Sequence, residues 1–216
     1  MTRHRVFITG ATGYMGRHLI PELLRAGHEV RALARPGSES KLPAGCEIVS
    51  GNALDAKTYS EKIAPCDTFV HLIGVSHPSP AKAREFREID LKSAVEAVPA
   101  AKAAGVRHFV YVSVAQPAPV MKAYLAVRAE AEALIRSSGM NATILRPWYV
   151  LGPGHRWPVV LIPFYWLAEH IPATRERALR LGLVSTKQMI AALRSAVENP
   201  AQGVTIVTVP EIRRAI

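Results

Sequence analysis

The run Thr9-Gly10-Ala11-Thr12-Gly13-Tyr14-Met15-Gly16 constrains this chain more than any other. It follows Arg5–Thr9, whose Val6-Phe7-Ile8 core reads as a strand, and it opens a helical pattern over Tyr14–Ala26 that stops at Gly27. Three glycines at a strand-to-helix turn each have a physical use. Gly10 permits the tight turn, Gly13 lets the backbone approach a pyrophosphate, and Gly16 lets the helix pack closely on the strand. The free amides at the helix start then face an anion, which makes a dinucleotide the expected ligand. The competing reading is an ordinary turn that uses glycine only for its backbone freedom.

Further β-rich runs recur at Glu29–Ala34, Glu47–Ser50, Thr68–Ile73, His108–Ser113 and Ala142–Leu145, with helical patterns between most of them. That alternation predicts an α/β fold, a Rossmann-type doubly wound parallel sheet with strand order 3-2-1-4-5-6 and a short C-terminal appendage. Helices are expected over Ala81–Ala104, kinked or divided at Pro99, over Met121–Ser138, closed by Gly139, and over Thr186–Glu198. With 216 residues, 49% of them apolar, the chain suits one core: a single NAD(P)-binding domain over 1–216, its core about 1–154 and a small substrate or lid part about 155–216.

The formal net charge of +10 is compatible with nucleic acid, an anionic surface or a phosphorylated ligand. Its lysines and arginines are scattered, with only short clusters such as Arg175, Arg177 and Arg180, so a solvated basic surface is the plain reading. No helix-turn-helix pattern or basic-aromatic interleaving points to nucleic acid, and none is expected as a partner. Cys46 and Cys66 show no metal or disulfide spacing, and the N-terminus has no signal-peptide core, so a cytoplasmic location and no metal are expected. The apolar stretch Trp157–Ala168 is too short to span a bilayer. A buried lid or dimer contact is its plainer reading, and docking on a membrane surface its alternative.

The glycine run, Leu33-Ala34-Arg35, Gly51-Asn52-Ala53-Leu54-Asp55, Phe69-Val70-His71-Leu72-Ile73-Gly74, Ala104-Gly105-Val106-Arg107-His108-Phe109-Val110-Tyr111-Val112-Ser113 and Ile144-Leu145-Arg146-Pro147 resemble segments of the extended and atypical short-chain dehydrogenase/reductase superfamily. The likeness covers roughly the first three-quarters of the chain. It is nearest the epimerase/dehydratase-like and NmrA-like members and the group of the complex I nucleotide-binding accessory subunit. The resemblance implies that Gly10, Thr12, Gly13, Tyr14, Met15 and Gly16 surround the pyrophosphate, Asn52 and Ala53 meet the adenine, and Leu72, Ile73 and Gly74 flank the nicotinamide ribose. Pro147 completes the implied cofactor set.

An acid at the end of the second strand would hold ribose hydroxyls and select NAD; Ala34 and Arg35 stand there instead. A guanidinium suits a 2′-phosphate, so NADP (NADPH) is expected over NAD, against the alternative of Arg35 as a solvated loop arginine. For catalysis the resemblance implies a Tyr with a Lys one turn later and a Ser or Thr. Tyr124 and Arg128 carry part of that pattern on one helix face, with Arg128 beside the phenol and the cofactor ribose. Arginine keeps the charge but cannot relay a proton. The serine position corresponds best to Val114; Ser113 serves only if the strand end re-aims it. Tyr124 as a plain half-buried helix tyrosine is the alternative to a catalytic acid. Two function classes follow: an NADPH-dependent oxidoreductase on a small carbonyl or quinone-like substrate, or a non-catalytic NADPH-binding sensor or assembly subunit with a protein partner.

Overall fold

Along each central strand the side chains alternate between two dry faces, which requires helices on both sides of the sheet. On β1 (Arg5–Thr9) Phe7 points to one core cluster while Val6 and Ile8 point to the other. Phe69 and Val70 divide in the same way on β4 (Thr68–His71), as do Phe109 and Val110 on β5 (His108–Val112). The computed structural model describes residues 2–153, 166–168 and 170–215. The remaining strands are β2 (Glu29–Ala34), β3 (Glu47–Ser50), β6 (Asn141–Leu145), β7 (Tyr149–Leu151), β8 (Leu183–Ser185) and β9 (Val204–Val207). Seven of them form one parallel sheet in the order β3-β2-β1-β4-β5-β6-β9, the expected doubly wound order with β9 added beyond β6. β7 and β8 form a separate two-stranded parallel sheet.

Helices α1 (Tyr14–Arg25) and α6 (Thr186–Glu198) cover one face, and α3 (Lys92–Ala103) and α4 (Lys122–Ser137) cover the other. Helix α1 buries Gly16, Leu19, Ile20 and Leu23, a single stripe at helical spacing. The C-terminal part adds α5 (Pro172–Arg180) and α7 (Val209–Arg213). Of the two expected effects of Pro99, division does not occur: it sits inside the continuous α3. The carbonyl that loses its partner belongs to Val95, which is 49% exposed, so water can take the place of the missing N–H. The interruption falls upstream, where the short α2 (Ala83–Glu85) passes into a π-helical turn at Phe86–Leu91 that buries Phe86, Asp90 and Leu91.

Parallel pairing also sets what lies under the carboxyl ends of the strands. Phe7, Phe69 and Phe109 share one register row and stack with ring centroids 5.2 and 5.1 Å apart. Two residues further along, Thr9, His71 and Tyr111 form the next row on the same face. The sheet therefore brings a hydroxyl, an imidazole and a phenol together directly beneath the turn that follows β1. No helix of the described residues is long and apolar enough to cross a membrane; the apolar stretch from Trp157 lies outside the described residues up to position 165.

Candidate functional site

Past the carboxyl ends of β1, β2, β3 and β4 the chain encloses a cleft of about 400 Å³. It is lined by Gly10, Thr12 and Gly13 from the first turn, Arg35 after β2, Asn52 and Ala53 after β3, and Leu72, Ile73 and Gly74 after β4. Gly10 has φ +74°, and a Cβ there would stand 2.7 Å from the Leu72 carbonyl carbon, so both the turn and the close approach of two backbones require glycine. Gly16 packs the helix onto the turn, since a Cβ there would lie 2.4 Å from the Ala11 oxygen.

The start of α1 fits a phosphate. Its N-cap is Gly13 with no side-chain cap, and no acid stands in its first turn, so the leading amides and the positive end of the helix dipole are left for an external anion. Asn52 has its side-chain oxygen engaged by the Leu54 N–H at 3.1 Å, which leaves its amide nitrogen as the group to meet an adenine edge. Arg35 is exposed at the rim, and no acid lines the cleft beside it on β2.

Four expected cofactor residues are placed differently from the rest. The Tyr14 hydroxyl lies 2.9 Å from the Thr186 hydroxyl, whose own proton goes to the Leu151 carbonyl; Tyr14 is therefore the donor, and its side chain ties α1 to the C-terminal part. Met15 packs on the core beneath, and Gly16 is buried. These three face the cleft through the helix start and not through side chains. Pro147 is buried with its carbonyl accepting the Ala115 N–H at 2.8 Å, and it does not line the cleft.

The tyrosine pattern is altered in more than its lysine. Arg128 is 4% exposed and pairs with the Asp90 carboxylate at 2.5 Å. Its Nη1 donates to the Tyr111 hydroxyl at 3.1 Å and to the Val112 carbonyl at 2.9 Å. The Tyr124 ring lies over the guanidinium, 5.1 Å from centroid to Cζ, and packs against Phe86 on its other contact. Thus Arg128 is fixed under the Gly74 end of the cleft, where a Cβ on residue 74 would sit 2.5 Å from Nη2. The Nη1 and Nη2 groups of Arg128 are held by Tyr111, Val112 and Asp90, its buried Nε has no hydrogen-bond partner among the described residues, and its charge acts on the Tyr124 phenol across the stacked contact. Burial pushes the Asp90 carboxyl up, while the Arg128 charge and the Val75 N–H at 3.0 Å draw it back. With an arginine that stays protonated and two donors on it, the carboxylate is ionised at neutral pH.

Ser113 is 3% exposed and donates to Glu132 at 2.6 Å. Gln116 and Arg146 donate to the same carboxylate, so the structure places Ser113 in a buried network around Glu132 and does not bring its hydroxyl to Tyr124. Val114 is also buried. The sequence reading missed Asp90, His71 and Tyr111. No local signal marks Asp90, which lies 38 positions from Arg128 and reaches it through the π-helical turn. His71 was legible only through the register row. Its Nε2 lies 3.1 Å from the Ser93 hydroxyl, which donates its one proton to the Asp90 carbonyl; Ser93 must accept, so Nε2 carries the hydrogen and Nδ1 accepts from Thr9 at 2.8 Å. Burial, with the Arg128 charge nearby, holds His71 neutral with its pKa pushed down to about 3.

Residues 10–156 match the sequence profile of a family described as NAD(P)H-binding. The ceramide reductase of Caulobacter vibrioides is 28% identical over 97% of this chain and 65% of its own length. A 4-hydroxy-2-methyl-3-oxo-4-farnesyl-3,4-dihydroquinoline-1-oxide ketoreductase of Stigmatella aurantiaca is 26% identical over 68% of this chain and 51% of its own length. The chain therefore spans less than two-thirds of either relative. Among solved structures, the Bordetella bronchiseptica enzyme WbmH in complex with NAD+ superposes with a TM-score of 0.71 at 21% identity, covering 96% of this chain and 76% of the other. By its matched family model the chain belongs to the NAD(P)H-binding family, and its sheet order and glycine turn give it the fold of the solved NAD+ complex.

Proposed function

We propose that this chain is an NADPH-dependent reductase of a carbonyl or quinone-like substrate, with Tyr124 as its proton donor. The observation that carries the reading is the Tyr124 ring seated on a permanently charged guanidinium at the Gly74 end of the nucleotide cleft. When bound, the nicotinamide cofactor supplies the hydride. The cation stabilises negative charge on the phenol as its proton moves to the carbonyl oxygen. Arg128 has no proton to pass on, so the phenol regains its proton from water. Arg35 at the rim, in place of an acid, supports NADPH over NADH. The reductase and ketoreductase names of the two relatives point to the same chemistry.

A second reading, an NADPH-binding protein that senses or assembles through a protein partner, is favoured by one feature. Ser113 is tied to Glu132, and Val114 beside it is buried, so no hydroxyl at that strand end is left to orient a carbonyl. Steady-state NADPH oxidation over a panel of aldehydes, ketones and quinones separates the two. The reductase reading expects turnover that falls about 10²- to 10⁴-fold in Tyr124→Phe, the usual cost of losing an acid catalyst. Tight nucleotide binding with no turnover on any substrate would leave the sensing role.

A further inference from the structure

We propose that the carbonyl compound this chain reduces carries a long hydrocarbon arm, held in a cavity between the Pro117–Pro119 loop and helix α5. The proposal rests on the reductase reading above and adds its substrate class. The cavity has a volume of about 670 Å³, within the range of small-molecule sites. Its exposed wall is almost wholly apolar, built from Pro117, Ala118, Pro119, Ala168, Ala178 and Leu181. Three of these six are alanines, so the space exists because short side chains meet where larger ones would fill it. It shares no lining residue with the nucleotide cleft, and the cofactor therefore does not account for it.

Position links it to the reaction. Gln116, directly before the loop, is anchored to Glu132 beside Ser113. Met121, directly after Val120, is the N-cap of α4, whose first turns carry Tyr124 and then Arg128. The loop thus joins the strand end below the site to the helix that presents the phenol. An arm extending from a carbonyl at Tyr124 along this loop would enter the cavity. The surroundings are apolar as well. Val120, Leu167 and Ile171 are 53%, 55% and 42% exposed and each adjoins a cavity residue or the start of the helix that supplies the far wall, and Trp166, 62% exposed, precedes Leu167. Only two other large hydrophobic side chains of the described residues, Ile48 and Val95, are comparably exposed, and both lie elsewhere. Thr174, Arg177 and Arg180 complete the wall on α5, with the Thr174 hydroxyl donating to the Ala168 carbonyl at 2.8 Å. A largely apolar cavity with an apolar rim suits a chain of methylenes or isoprenoid units.

The test is calorimetric titration of the full chain, saturated with NADP+ so that no ketone is consumed, with 2-alkanones from butanone upward. Burial of each methylene should tighten binding by about fourfold until the cavity is full, on the order of 250-fold over the four methylenes between 2-butanone and 2-octanone. Ala118→Trp and Ala178→Leu, which fill the cavity from opposite walls, should remove most of that dependence while NADP+ affinity, which reports a folded domain, stays unchanged. Affinity that does not depend on chain length overturns the proposal, as does a dependence that survives both variants. Steep chain-length dependence, lost in the variants, with no NADPH oxidation of any ketone would uphold the cavity's occupant and overturn the reductase reading instead.

Discussion

Arg128 does what an ammonium in its place could not. Its planar fork reaches the Asp90 carboxylate on one side and the Tyr111 hydroxyl and Val112 carbonyl on the other, and its flat face carries the Tyr124 ring. A lysine is a point charge with three donors and cannot span that set. The guanidinium is therefore a fixed strut as much as an electrostatic partner, and its stability depends on Asp90. Asp90→Asn keeps the shape and removes the charge, leaving a cation buried without its counter-ion, which costs about 3–5 kcal/mol. Urea denaturation of the parent and the variant should show that loss as a lower midpoint. A loss under about 1 kcal/mol would mean that the neutral acceptors around Arg128 suffice. Elsewhere on the cleft wall Arg35 is exposed. Its charge-assisted contact with a 2′-phosphate is expected to favour NADPH over NADH by about 1.5–3 kcal/mol, and Arg35→Ala should erase most of that difference in calorimetric titrations of the two nucleotides. Equal affinities in the parent would remove the basis for preferring NADPH.

At the scale of elements, the first βα unit supplies the glycine turn and a helix start left without a side-chain cap. Gly13 is the N-cap of α1, and the helix start has no side-chain cap of its own. A β-branched side chain there would project where the pyrophosphate must approach, so Gly13→Val should abolish nucleotide binding with little change in the unfolding midpoint; unchanged affinity would place the phosphates elsewhere. This unit was readable from sequence because its signals are local: glycines at fixed offsets, a short strand with a three-residue apolar core, a helical stripe. The same holds for Gly27, Gly105 and Gly139, each with positive φ just past a helix, and for α6, whose bounds coincide with the expected Thr186–Glu198. Elements that exist only through distant partners were not readable. β7 and β8 are three residues each and pair across more than thirty positions. β9 is a short edge strand defined by its pairing with β6. The π-helical turn has no composition of its own, so Asp90 could not be assigned to Arg128: the four-residue spacing put Tyr124 and Arg128 on one helix face but gave no sign of the buried ion pair that the fold builds there.

The whole molecule couples to pH through histidines that the parallel sheet buries. His71 sits in the row between Thr9 and Tyr111, and His108 at the other end of β5 lies 2.9 Å from the Thr143 hydroxyl. Desolvation dominates both: His71 is pushed down to about 3 and His108 to about 4, the latter helped by the neighbouring His4 and opposed by Asp67. His28 is lowered too, by burial first. In the unfolded chain each takes up a proton near its ordinary pKa of about 6.5. Below that pH the unfolded state therefore binds more protons than the folded one, and stability falls as pH falls. Each histidine contributes about 1.4 kcal/mol per pH unit within its window, so His71 and His108 together should remove about 3–4 kcal/mol between pH 7 and pH 5. That is a large part of the roughly 5–15 kcal/mol typical of a domain. The formal charge of +10 at pH 7 adds to the effect, because every further proton raises self-repulsion. Urea denaturation at pH 7, 6 and 5 measures it. The parent should lose stability steadily across that range, and His71→Gln, which removes one titrating group, should lose about 2 kcal/mol less between pH 7 and pH 5. Stability that stays flat from pH 7 to pH 5 would mean that these imidazoles are charged in the folded protein, and the proton order deduced for Thr9, His71 and Ser93 would fall with it.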